Sequence, residues 1–242
     1  MIGTMTRVMP VMEVDFGIKC YTKINFFGHD VHLTSSHVCL VIVMLIIMIF
    51  AIAANIAIRK ADPSKAPSGF LNVVEFIVQA VDNMVESGMG SAHGPAYANY
   101  VGSLFIMIAM CNLSGLLGLR PATADFGSTF ALAMITFFMI HYAGFKYQGI
   151  NHITDLFKPL LLSPINIIGE IATPISLSLR LFGNILSGTV MMGLIYGLIP
   201  WFLSIAWPGV LHIYFDVFSG CIQAYVFVML TMTFISQNFS EE

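Results

Sequence analysis

Five stretches of this chain are long and apolar enough to cross a lipid bilayer, and the rest of the sequence has to be arranged around them. A spanning helix needs ~20 mostly apolar residues. The first stretch covers about 38–58, broken only by Asn55 and closed by Arg59 and Lys60. The others cover about 97–119, 126–145, 164–199 and 201–236. Composition agrees: 57% of the 242 residues are hydrophobic and 10% are charged. Soluble domains carry about 25% charged residues. The formal net charge of -3 comes without a run of like charge, so no nucleic-acid partner is expected.

Between the first two stretches, about 69–87, the helical period continues but the segment is too polar to span. Glu75, Gln79, Asp82, Asn83 and Glu86 recur every three or four positions, opposite Phe70, Val73, Val74, Ile77, Val81 and Met84. That pattern predicts an amphipathic helix at the membrane surface, ended by Gly90–Pro95. The last two stretches, divided near Pro200, each hold ~35 residues, or ~50 Å of helix. The hydrocarbon core is only ~30 Å thick, so both must tilt, curve or protrude.

The expected fold class is therefore all-α integral membrane. It has five transmembrane helices and one amphipathic surface helix, the last two spans being long, tilted and paired as an antiparallel hairpin. Residues 1–36 read as an N-terminal extramembrane segment, with Glu13, Asp15, Lys19, Lys23 and Asp30 in place of a signal-peptide core, and 37–242 as a single membrane domain. With the N-terminus outside, inner loops hold Arg59, Lys60, Lys65, Lys146 and Lys158, and outer segments hold Arg7, Lys19, Lys23 and Arg120. Five against four follows the positive-inside rule by a narrow margin.

The chemistry concentrates on Arg180, in the middle of the fourth stretch within Ile175-Ser-Leu-Ser-Leu-Arg-Leu-Phe-Gly-Asn184. Arginine at mid-bilayer costs roughly 2.5–3.5 kcal/mol and marks an ion pathway by default. It stays charged at any working pH. A residue that snorkels to the interface, or a static buried ion pair, is the plainer alternative. Gly169, Thr173, Ser176, Arg180, Gly183, Asn184 and Ser187 share one helical face, so small and polar residues surround the cation. Close helix approach elsewhere in the bundle would explain the glycines equally well.

On the last stretch Asp216, Gly220 and Gln223 also share a face. In an antiparallel hairpin Gln223 is level with Arg180, and Asp216, ~10 Å further along, reaches the depth of Thr189. Glu170 lies on the other side of Arg180 in depth, where it could equally complement the start of its helix. Acids on both sides of a fixed cation describe a divided ion path.

These residues also carry a resemblance. Leu179-Arg-Leu-Phe-Gly-Asn184, preceded by Pro164-Ile-Asn166 and Pro174-Ile-Ser176, resembles the signature helix of F-type ATP synthase subunit a. Gln223-Ala-Tyr-Val-Phe-Val-Met-Leu-Thr231 is similar to that family's last helix, and Cys111-Asn-Leu-Ser-Gly115 and Pro121-Ala-Thr-Ala-Asp125 to its second-to-third span region. The resemblance covers roughly residues 37–238. It implies a membrane stator subunit that leads protons, or sodium ions, through two offset half-channels to a ring of c subunits bearing carboxyl groups. Arg180 would separate the half-channels. Asn184 and Gln223 would be polar positions beside it, Ser176 would lie on the outlet side, and Asn112 and Asp125 near the inlet. Implied partners are the c-subunit ring, peripheral-stalk b subunits, the whole complex and membrane lipid. The implied location is a bacterial inner membrane or an organelle inner membrane, with the C-terminus cytoplasmic.

Two positions depart from the family. Many members have an acid nine residues after the arginine, where this chain has Thr189, and some have histidine seven residues before the glutamine, where it has Asp216. The expectation is that the inlet acid has moved from one helix to the other.

Other classes fit less well. A self-contained secondary transporter using Arg180 and Asp216 would call for broken spans and a substrate site. An intramembrane hydrolase would need paired catalytic groups, and Asp216 and Glu170 fall on opposite sides of Arg180. No cofactor, metal centre or catalytic activity is expected. The seven histidines are scattered, mostly at span ends, and read as interfacial packing. Cys20, Cys39, Cys111 and Cys221 form no CxxC pair and read as small buried residues.

Overall fold

The computed structural model describes residues 20–26, 29–61, 68–156, 163–198 and 207–239. The expectations for residues 1–19, for the loop at Pro63–Pro67, for Lys158 and Pro159, and for the division at Pro200 lie outside the described residues. Helices α1 (Ser35–Lys60), α2 (Gly69–Leu113), α3 (Phe126–Gln148), α4 (Asn151–Leu156), α5 (Ser163–Leu198), α6 (Trp207–His212) and α7 (Gly220–Ser236) follow in order. Short 3-10 turns at Ser114–Leu117 and Ala122–Ala124 join α2 to α3, and a π-helical segment, Ile213–Ser219, joins α6 to α7. Ahead of them β1 (Cys20–Phe26) and β2 (His29–Thr34) pair antiparallel, a two-stranded sheet that periodicity alone had not indicated.

Among the described residues five helical runs are long and apolar enough to cross a membrane, as the sequence indicated, the fifth passing through α6, the π segment and α7. They differ in what they face. In its most apolar window α1 is only 17% buried, and Val41, Leu45, Ile49 and Ile52 point outward, as suits a helix solvated by lipid on most sides. It is anchored at one end, where Cys39 and Val43 meet Cys111 and Ala122 and the Cys39 thiol donates to Ser114 Oγ at 3.2 Å. The last span is 44% buried in the same measure. Its Ala224, Phe227, Val228, Met232 and Ile235 pack with Val101 and Ile108 of α2, Ala133 of α3, and Leu177 and Leu181 of α5. The free cysteines Cys39 and Cys111 are buried, in keeping with their role as small apolar residues.

The amphipathic helix and the second span are two arms of α2, divided at Gly90. There the backbone takes φ 76° and ψ 163°, a region open essentially to glycine alone. The chain folds back so that Val81 lies against Gly102 and Val85 against Gly94. An added Cβ on Gly102 would come within 2.9 Å of Val81, so the arms can approach this closely only without a side chain there. The polar residues Glu75, Gln79, Asp82, Asn83 and Glu86 remain exposed while Val74, Val85 and Met89 are buried. The first arm is thus amphipathic as expected, with the second arm and Met232 of α7 beneath it.

Replacing Gly90 by alanine is expected to cost about 1–3 kcal/mol, the usual strain of a side chain in that backbone region. Thermal unfolding of the purified protein in detergent checks this. An unchanged midpoint would mean that the fold-back does not use the glycine conformation.

Candidate functional site

Helix α5 has 36 residues, ~54 Å at 1.5 Å each, and carries two adjacent stripes with different roles. Leu177, Ser178, Leu181, Ile185, Gly188 and Met192 are buried in the bundle. Ser176, Arg180 and Ser187 lie on the next face and are exposed, with Gly183 and Asn184 partly so. Added Cβ atoms on Gly169 and Gly183 would meet nothing within 4 Å. Gly169 and Gly183 therefore pack against none of the described residues. Among the described residues no carboxylate is within ion-pair distance of Arg180, which removes the static buried pair as an explanation.

Toward the α5 N-terminus, Arg180 and Ser176 line a cavity of about 180 Å³ with Gly169, Thr173, Leu230 and Phe234. A larger cavity of about 540 Å³ shares Gly169, Thr173 and Phe234 with it and is walled by Glu170, Asn166, His152 and Asn238. Two cavities with shared lining residues thus extend from Arg180 toward the end of the bundle that holds the α5 N-terminus. At the wall of the larger one Glu170 Oε1 is 3.5 Å from His141 Nδ1, which is 3.1 Å from His152 Nε2. Glu170 and His152 line the larger cavity, and His141, read from sequence like His152 as a packing residue, is in contact with both.

On the other side of Arg180 a second polar group assembles from α2, α5 and the π segment. Ser219 Oγ donates to Asn184 Oδ1 at 3.0 Å. The Asp216 carboxylate accepts from His212 Nδ1 at 2.6 Å, one helical turn back. Gly115 gives this carboxyl its room, since a Cβ there would stand 3.2 Å from Asp216 Cγ. The π segment carries Asp216 at its centre. Single-turn π segments inside helices are frequent at functional sites because the widened turn re-aims side chains. Sequence reasoning passed over His212, although its i, i+4 spacing from Asp216 was a usable signal.

Asn112 is 1% exposed and ties this group to the second span. Its Nδ2 donates to the Gly220 carbonyl at 2.9 Å, and its Oδ1 accepts from Thr123 Oγ1 at 2.8 Å. Gly220 is where this contact is made, since its Cβ would lie 3.0 Å from that of Asn112. Gln223, one turn along α7, is 7% exposed with its Nε2 unpartnered. With Asn184 level with Ser219, antiparallel geometry brings Gln223 to the level of Arg180. Phe215 packs on Gly188, which puts Asp216 beside the level of Thr189. Thr189 itself is exposed and its hydroxyl donates back to Ile185 O at 2.9 Å, outside the Asp216 group. Asp125 caps α3 by accepting from Gly127 N at 3.3 Å, so its evident work is to start that helix.

Replacing Asn112 by leucine would strand the Thr123 hydroxyl in the core and remove the side-chain donor from the Gly220 carbonyl, which keeps its helical partner. A loss of about 1–3 kcal/mol is expected for the stranded hydroxyl. Unfolding of Asn112→Leu, Thr123→Val and the double variant tests this through their coupling. Fully additive effects would break the proposed link.

The described geometry is that of a membrane bundle with a lone arginine between two polar groups. The sequence profile of the family described as ATP synthase A chain matches residues 37–236. The chain is 34% identical to ATP synthase subunit a of Desulforamulus reducens, over 97% of this chain and 92% of that protein. It is 30% identical to the sodium-ion-specific ATP synthase subunit a of Propionigenium modestum, over 96% and 83% of the two chains. It is 32% identical to ATP synthase subunit a of Staphylococcus saprophyticus, over 88% and 94%. Matched over this much of its length, and with Arg180 exposed on a glycine-bearing face between two polar groups, the chain belongs to the ATP synthase A chain family.

Proposed function

We propose that this chain is the ion-conducting stator subunit of a rotary ATP synthase, and that the open face of α5 around Arg180 is the track along which a ring of c subunits passes. The observation that carries this reading is the exposure of Arg180 between glycines, Gly169 and Gly183, that pack against none of the described residues. A guanidinium left unpaired on such a face favours a carboxylate that comes and goes over one that stays.

In this reading each ring carboxyl gives up its ion to the outlet as it approaches Arg180, because the fixed cation stabilises the carboxylate by direct attraction. Arg180 holds its proton throughout, so it also interrupts any continuous proton wire between the two sides. His212, Asp216, Ser219, Asn184 and Asn112 form the inlet group, and Ser176, Thr173 and Glu170 line the outlet. Gln223 stands beside Arg180 with an amide N–H to offer. The inlet acid is Asp216, moved from the α5 position that Thr189 holds. Its hydrogen bond to His212 and its place beside the level of Thr189 support this exchange. Peripheral-stalk b subunits and the c ring are the expected partners, and the ATP chemistry belongs to other subunits of the complex. The named relatives are bacterial, which supports a bacterial plasma membrane, and the balance of Lys and Arg between the loops supports an N-terminus outside.

The test is ATP-driven ion uptake into inverted vesicles carrying the complex, with and without sodium. Arg180→Gln is expected to abolish uptake, and Asp216→Asn to lower it by at least ~10-fold, the loss that 1.4 kcal/mol produces. Uptake that requires sodium identifies a sodium ion as cargo, and uptake indifferent to sodium identifies a proton. Uptake unchanged in Arg180→Gln would overturn the stator reading, and uptake unchanged in Asp216→Asn would overturn the relocated acid.

A further inference from the structure

The larger cavity contains a cluster that the ion path does not need as a cluster. The donor atoms of His141, His152 and Glu170 all lie within 4.8 Å of one another. We propose that these three residues form a binding site for a divalent transition-metal ion of the zinc class, facing the 540 Å³ cavity.

Spacing is the first argument. Zinc with bonds of 2.0–2.1 Å in tetrahedral geometry holds its ligand atoms roughly 3.3 Å apart. His141 Nδ1 is 3.1 Å from His152 Nε2 and 3.5 Å from Glu170 Oε1, so two of the three edges already stand at metal-bridged distances. Donor chemistry is the second. Two imidazoles and one carboxylate make a set used by open zinc sites, whereas magnesium and calcium prefer oxygen alone. Three protein ligands leave a fourth position for water, and the cavity lined by His152 and Glu170 also carries the Gln148 amide.

The site is also held in place. Its ligands come from three elements, α3, α4 and α5, so it exists only in the folded bundle. The His152 ring rests on Gly144, where a Cβ would come within 2.6 Å of it, and Phe137 meets the His141 ring edge-on with centroids 4.2 Å apart. Rings fixed by packing lose little freedom when they bind metal. The side chains of His141 and Glu170 are 25% and 30% exposed, which leaves a way in from the cavity. Sequence spacing conceals the set, since its members stand eleven and eighteen residues apart on separate helices.

Binding itself is independent of the transport reading. Its consequence rests on that reading: metal on Glu170 would occupy the outlet route and slow ion release. The experiment uses the purified ATP synthase containing this chain, stripped of metal by chelation and titrated with zinc chloride. Native complex is compared, at equal amounts of assembled enzyme, with His141→Gln/His152→Gln and with Gly144→Ala, which keeps all three ligands but displaces the His152 ring. The native complex should bind one more zinc equivalent than the double variant. Gly144→Ala should bind that zinc at least ~10-fold more weakly, the scale on which disturbing a ligand's support acts. Cobalt in place of zinc should give the visible bands of a four-coordinate site in the native complex and none in the double variant. Equal zinc stoichiometry in native and double variant, or no cobalt bands attributable to these residues, overturns the site. In vesicles, zinc should inhibit ATP-driven uptake of the native complex and spare the double variant's remaining uptake. Zinc bound without inhibition upholds the site and counts against the outlet route.

Discussion

An arginine placed in the middle of a bilayer cannot shed its charge, and the arrangement around α5 follows from accommodating it. Burial among Leu177, Leu181 and Ile185 would need a permanent carboxylate partner, and a buried pair of that kind is desolvated on both sides. The helix instead divides its circumference. One stripe packs into the bundle, and the neighbouring stripe holds the guanidinium against a cavity on one side and the Asn184–Ser219 hydrogen bond on the other. The charge shares that cavity with the Ser176 and Thr173 hydroxyls while Ser178 and its apolar neighbours hold the helix in register.

That division was only half visible in the sequence. Helical period placed Gly169, Ser176, Arg180 and Ser187 on one face, because backbone geometry alone fixes which side chains align. It could not say whether that face looked inward or outward, since glycines suit a tight helix contact and an open groove alike. The contrast between Gly220, pressed against Asn112, and Gly183, which meets nothing, appears only when the neighbours are in place. The five spans were legible for a simpler reason, namely that lipid demands a continuous run of apolar residues. Gly90 was readable as a break but not as a fold-back, because the direction of the second arm depends on what Val81 and Val85 find to pack against.

The polar groups beside Arg180 were the least legible part. Asp216, Gln223 and Glu170 drew notice because acids and amides are rare in apolar runs. Histidines near span ends did not, and three of them turn out to touch those acids directly or through one another. A histidine's part is set by the neighbour that fixes its ring, and for His141 and His152 that neighbour comes from another helix. The family relation accounts for the common plan, but the pairing of His212 with Asp216 is a local solution written into a single turn of this chain.

That turn has a further consequence. A π-helical stretch such as Ile213–Ser219 is in effect an α-helix with one surplus residue, since each hydrogen bond spans five residues where an α-turn spans four. The surplus works as a phase adjuster between two rigid rods. Gly220–Ser236 stays keyed to the core through Phe227, Met232 and Ile235, while the chain before it is rotated by roughly one residue's worth of helical arc, ~100°. Excising one residue here would straighten the rod without touching a charged group, and would swing His212 around the helix away from the quarter it now faces. The alignment of His212 and Asp216 is thus encoded in a residue count as well as in residue identities, and a chain of this kind can retune it by insertion or deletion as readily as by substitution.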